Sequence, residues 1–153
     1  MLVLHQIYTL LVAIHIFAAI VGVGPAFAFN RILNKAKNMK ELKHAHKIVD
    51  DLQVFAGPGF TLALITGLLM GLINLSLFQT LWYNLSIALL LAAMLYKSFV
   101  AEPKMKPMLE IVKTYKGEEI PQDYKILNKK MAPYDYFGKV ILIVIIILMI
   151  FKP

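Results

Sequence analysis

The chain has 153 residues, 59% hydrophobic and 16% charged, with a net charge of +7 and a mean hydropathy of +0.70. A soluble domain is nearer half apolar and roughly a quarter charged, so this composition points to an integral membrane protein with no separate soluble domain. Cysteine is absent, which excludes disulfides, thiol catalysis and iron–sulfur ligation; the basic residues lie beside apolar runs, which fits topology control and anionic lipid contact and argues against nucleic acid.

The first apolar run, Leu4 to Phe29, lacks a basic leader and is long for a signal-peptide core, so it reads as a retained span. The second starts after Asp51 and covers about 54–75. The third covers about 78–100, with Lys97 near its end. The strongly apolar stretch Val140 to Phe151 would rise only about 18 Å as a helix, short of the roughly 30 Å hydrocarbon core. Extended back to Tyr134 it makes a fourth span, 134–151, with Lys139 snorkelling to the headgroups and Tyr134 and Tyr136 in an interfacial belt. The expected fold is all-α, a bundle of four antiparallel transmembrane helices forming one domain over residues 1–153.

The connections set the orientation. Arg31, Lys35, Lys37, Lys40, Lys43 and Lys47 lie between spans one and two. Lys104, Lys106, Lys113, Lys116, Lys125, Lys129 and Lys130 lie between spans three and four. The N-terminal segment and the turn between spans two and three carry no Lys or Arg, so the positive-inside rule places both long connections in the cytoplasm and both termini outside, across a bacterial plasma membrane. Within the first connection Leu42, Ala45, Val49 and Leu52 recur at helical spacing, predicting an amphipathic extension of span two, read as lying on the lipid surface. In the third connection a helical piece is expected over Met108 to Tyr115, with Gly117 and Pro121 as breakers and a second short helix capped by Asp123.

Small residues recur every four positions in span one (Ala18, Gly22, Ala26) and span two (Gly59, Ala63, Gly67, Gly71), which predicts close crossing of these helices. Pro25 and Pro58 sit at similar depth and can kink their helices, for packing or to open a cavity on the cytoplasmic side.

His15 is the candidate functional residue. It lies mid-span, where ionisable groups are costly, and shares a face with Ala18, Ala19 and Gly22, with Tyr8 two turns away. Three roles compete: an axial ligand to haem b, a proton-handling group, or a neutral interhelical hydrogen-bond partner of Thr66 or Ser86. His5 is about 15 Å along the helix and about 80° round it, so a bis-histidine site within one chain is difficult; a lone histidine, a pair with Met70 or Met94, or His15 from two protomers remains. His44 and His46, with Asp50, read as solvated surface, and no metal site is assigned. No Ser/His/Asp set, phosphate loop or zinc-protease motif occurs, and no buried carboxylate suits a proton-coupled transporter.

The run His15 to Pro25, with Gly59, Thr66-Gly67, Trp82 and the terminal Lys152-Pro153, resembles a family of four-helix bacterial integral membrane proteins of uncharacterised activity. It is distantly similar to HemJ-type protoporphyrinogen oxidases and to the membrane domain of copper-resistance D proteins. The first similarity implies haem at His15. It does not imply the oxidase activity, because Tyr83 to Ser86 stand where that group uses a lysine. Scattered methionines argue against copper transport. The expected function is haem- or porphyrin-linked redox at His15, so whether the chain is an enzyme stays open. The alternative is a non-catalytic scaffold or assembly helper with a structural His15, in which small residues on spans one and three support a homo-oligomer.

Overall fold

The computed structural model describes residues 2–153 and is all-helical among them. Helix α1 spans Leu2–Leu33, α2 Met39–Ile73, α3 Leu81–Tyr96, α4 Glu102–Thr114 and α5 Gln122–Phe151. A 3₁₀ turn, Leu75–Gln79, joins α2 to α3. A π-helical segment, Lys97–Ala101, joins α3 to α4 without a break, so four continuous helices are long and apolar enough to cross a membrane.

Each helix outruns its apolar run. At 1.5 Å per residue, α1 and α2 reach about 50 Å, well beyond the hydrocarbon core, and so carry helical structure into the connections. Helix α2 starts with a sequence-local cap: Asn38 accepts from the Glu41 amide at 2.9 Å, and the Glu41 carboxylate accepts from the Lys37 amide at 2.8 Å. Pro25, Pro58 and Pro133 lie inside helices that continue through them, as membrane helices tolerate.

Three sequence expectations change here. The piece expected over Met108 to Tyr115 belongs to a longer helix continuous with span three, because the π-helical segment Lys97–Ala101 carries the backbone past Pro103. Asp123 does not cap a short separate helix. Pro121 is the N-terminal flanking residue, Asp123 lies in the first turn, and α5 runs on into the last span. Finally, Leu42, Ala45 and Val49 do not lie on lipid: they are buried inside the protein.

That burial forms a compact cluster at the polar end, where both basic connections meet. Met39, Leu42, Met108, Val112 and Tyr124 are buried together, flanked by Ile111, Ile120 and Met131. The Met39 amide donates to the Glu118 carbonyl at 2.8 Å and stitches the first connection to the third.

Inside the apolar zone the buried residues on α1 and α2 are small. A Cβ on Gly59 would lie 2.6 Å from the Gly22 nitrogen and 2.7 Å from its Cα; one on Gly22 would lie 2.9 Å from the Phe60 nitrogen. Helices α1 and α2 therefore touch backbone to backbone at the expected crossing. Helix α3 packs along α5, and the two pairs meet each other only slightly. Tyr83, near the start of α3, ties the pairs together: its hydroxyl donates to the Gly67 carbonyl at 2.9 Å, and a Cβ on Gly71 would collide with that hydroxyl.

Candidate functional site

Because the pairs meet so little, a cleft of about 680 Å³ opens between them. Cofactor and small-molecule sites typically occupy roughly 300–1,000 Å³ and are mostly apolar. Its wall on α1 is Tyr8, Val12, His15, Ala19 and Val23, spaced by three or four residues and so on one helix face. Met70 faces it from α2, Trp82 and Tyr83 from α3, Leu142 and Met149 from α5, and Lys152 from beyond the end of α5.

His15 is held from one side. Its Nδ1 lies 3.0 Å from the Thr66 hydroxyl, which itself sits 2.7 Å from the Leu62 carbonyl. A carbonyl can only accept, so the single hydroxyl proton goes to Leu62, and His15 Nδ1–H donates to the Thr66 oxygen. We assign this tautomer from the hydrogen-bond pattern. It leaves the Nε2 lone pair with no protein partner among the described residues. Of the two hydrogen-bond partners considered for His15, Thr66 fills the role; Ser86 instead donates to its own helix at the Trp82 carbonyl, 2.7 Å away. The ring lies against Gly67, where a Cβ would stand 3.5 Å from the imidazole Cε1, an ordinary van der Waals contact.

The structure brings Tyr8 and Met70 to the cleft with His15, but not Met94 or His5. Met149 and Lys152 are wall residues that sequence reasoning passed over. Met149 belongs to an almost uniformly apolar run with no periodic signal. Lys152 follows the last helix, where a lysine ordinarily reads as a solvated end.

At the polar end His46 corrects an expectation. It is not solvated surface but 5% exposed, with Nε2 2.9 Å from the Tyr124 hydroxyl and the rings edge-on, 5.9 Å between centroids. Burial lowers the His46 pKa, with Asp50 opposing, and burial pushes Tyr124 up to about 12. His44 is exposed. No group of three His, Asp or Glu side chains converges among the described residues.

Lys139 pairs with Asp135 at 2.7 Å, one turn back towards the polar end, and Asp135 also accepts from Asn30 of α1 at 2.5 Å. Asn128 donates to Asn34 at 3.0 Å. Tyr96 donates to the Tyr134 carbonyl at 3.3 Å, and Lys104 reaches the Tyr134 hydroxyl at 2.9 Å. These bonds tie α5 to α1 and to the α3–α4 helix at the polar end of the cleft.

The chain matches, over residues 9–153, the family described as a predicted integral membrane protein (DUF2269), and it belongs to that family. No curated protein and no solved structure matches it.

Proposed function

We propose, from the premise that the chain is a DUF2269 integral membrane protein, that it binds haem b or a related porphyrin in the cleft through His15 and serves in redox chemistry at the bacterial plasma membrane. The observation that carries this is the arrangement at His15: an imidazole fixed by Thr66, with an unshared Nε2 lone pair, in the wall of a large apolar cleft. The donor set fits the group. Histidine nitrogen is a common axial ligand to haem iron, Met70 and Met149 bring thioethers to the cleft from α2 and α5, and Tyr8, Trp82 and Tyr83 offer aromatic surface. Bound haem would supply reversible one-electron transfer. The chain's own residues would orient the ligand ring through Thr66 and exclude water with apolar walls.

In this reading the helices run antiparallel, the polar end is cytoplasmic and both termini are outside. The clustering of Lys and Arg in the two connections supports that orientation, and the same residues would contact anionic lipid headgroups.

One observation favours a second reading. The Thr66 bond joins α1 to α2, so His15 can serve as interhelical glue in a scaffold or assembly helper that works as a homo-oligomer. The test is a visible spectrum of protein purified in mild detergent from haem-supplemented cells, oxidised and then reduced. A Soret band and a reducible α band, both lost in a folded His15→Ala variant, are the expected result. A folded but colourless wild-type protein would overturn the haem reading and leave His15 as a packing residue.

A further inference from the structure

We infer that the cleft is built for an apolar ligand carrying a carboxylate, and that Lys152 is the residue that holds the carboxylate at the mouth. The inference deepens the reading above: it rests on the same cleft but not on iron.

The cleft has one blocked end. Asn30, Asp135 and Lys139 bridge α1 and α5 there, and Asn34 and Asn128 add a second bridge. At the opposite end, the wall finishes at Tyr8, Leu77, Trp82 and Lys152, with no hydrogen bond across it between α1 and α5 among the described residues. That end is the mouth.

Among the described residues Lys152 is the only cation on the wall, and no Asp or Glu lines it. No salt bridge involves it among the described residues. Its ammonium instead stands 5.6 Å from the centroid of the Trp82 ring, inside the roughly 6 Å reach of a cation–π contact.

The backbone is committed to this placement. Lys152 has φ 47° and ψ 50°, the left-handed conformation that helix ends usually assign to glycine, while its amide donates to the Leu148 carbonyl at 2.9 Å. A lysine accepts the steric penalty of that turn, and the turn carries its side chain over Trp82 at the cleft.

An unpaired ammonium at the rim of an apolar cavity selects a ligand with an apolar body and an anionic head. One cation, with no arginine fork and no second lysine beside it, matches a single carboxylate better than a phosphate, whose oxygens call for several donors. A porphyrin propionate and a fatty acid share this chemistry.

Trp82 is the only tryptophan in the chain, so its fluorescence reports the mouth alone. Protein in non-ionic detergent is titrated with nitroxide-labelled stearic acid, with its methyl ester, and with a nitroxide-labelled phosphatidylglycerol, above the pH at which the acid ionises. We expect saturable quenching by the acid at lower concentration than by the ester or the phospholipid. Lys152→Gln should raise the acid midpoint about tenfold, the size of one charged hydrogen bond, leave the ester unmoved, and be rescued by Lys152→Arg. Equal midpoints for acid and ester, or an acid midpoint unchanged in Lys152→Gln, would overturn the inference. Phospholipid quenching ahead of the acid would overturn the carboxylate assignment. A colourless protein that still shows Lys152-dependent acid binding would sink haem and keep this site; a haem spectrum with no acid preference would do the reverse.

Discussion

The polar-end cluster and the membrane cleft are built from the same helices by opposite rules. At the polar end the buried residues are large: Met39, Leu42, Met108, Val112 and Tyr124 close on one another. In the apolar zone they are mostly small, Ala18, Gly22, Gly59, Ala63 and Gly67, and large side chains such as Phe17, Leu62 and Leu72 are exposed. Water drives the first arrangement, because burying a leucine removes apolar surface from it. Lipid tails offer no such drive, so contact there relies on close backbone approach, and where small residues run out the helices separate. The cleft is that separation.

The comparison breaks most sharply where a change helps one region and harms the other. Truncation should hurt the polar end. Leu42 is 1% exposed, and Leu42→Ala should cost about 3 kcal/mol, read as loss of thermal stability in detergent. Enlargement should hurt the membrane crossing. Gly59→Val should cost about 2 kcal/mol and push α1 from α2, read by cross-linking of cysteines placed on the two helices. A Gly59→Val protein as stable as wild type would show that the crossing yields freely, and the small-residue account would fail.

Titration separates the regions next, since His46 and Tyr124 belong to the polar end. The folded His46 pKa is below its ordinary value, so the unfolded chain binds more protons as pH falls through about 6.5. Stability is therefore full above that pH and is lost as pH drops towards the folded pKa. For Tyr124 the sign is opposite: with its pKa raised to about 12, stability holds below about 10 and declines as pH climbs through 12. Tyr124→Phe should weaken the alkaline loss and cost about 1 kcal/mol at neutral pH through the lost His46 bond. An unfolding midpoint followed from pH 5 to pH 11 checks both limbs, and an alkaline limb unchanged in Tyr124→Phe would assign it to another group.

These regions also differed in how far the sequence exposed them. The small-residue ladders and the face shared by His15, Ala18 and Gly22 follow from helical period alone, so the α1–α2 crossing was legible, whereas depth along the helices narrowed the partner of His15 only to Thr66 or Ser86. The period of Leu42, Ala45 and Val49 was legible too, but not what covers it. Tyr124 and Met108 lie far along the chain, and only the folding back of two lysine-rich connections brings them there. Lysine content argued for solvent or lipid and concealed a core beneath the charged faces. The cleft was the least legible feature, since an absence of contact between helix pairs leaves no mark on either pair.

The smallest expected effect decides what the cleft does with His15. Thr66→Val keeps the shape and removes the interhelical bond, worth about 0.6 kcal/mol in a membrane bundle, along with the hydroxyl's bond to the Leu62 carbonyl of its own helix. If His15 is glue, Thr66→Val and His15→Ala should both cost little more than that, and their double variant should cost no more than the larger single one, because both break the same bond. If His15 holds a ligand, the two part company. His15→Ala then loses the ligand outright, whereas Thr66→Val keeps it with a weakened or shifted absorption, because the imidazole has lost the acceptor that fixed its tautomer. Ligand binding and thermal stability measured on the same three variants read both quantities at once. A bond too weak to matter for the fold would then be what aims the ring.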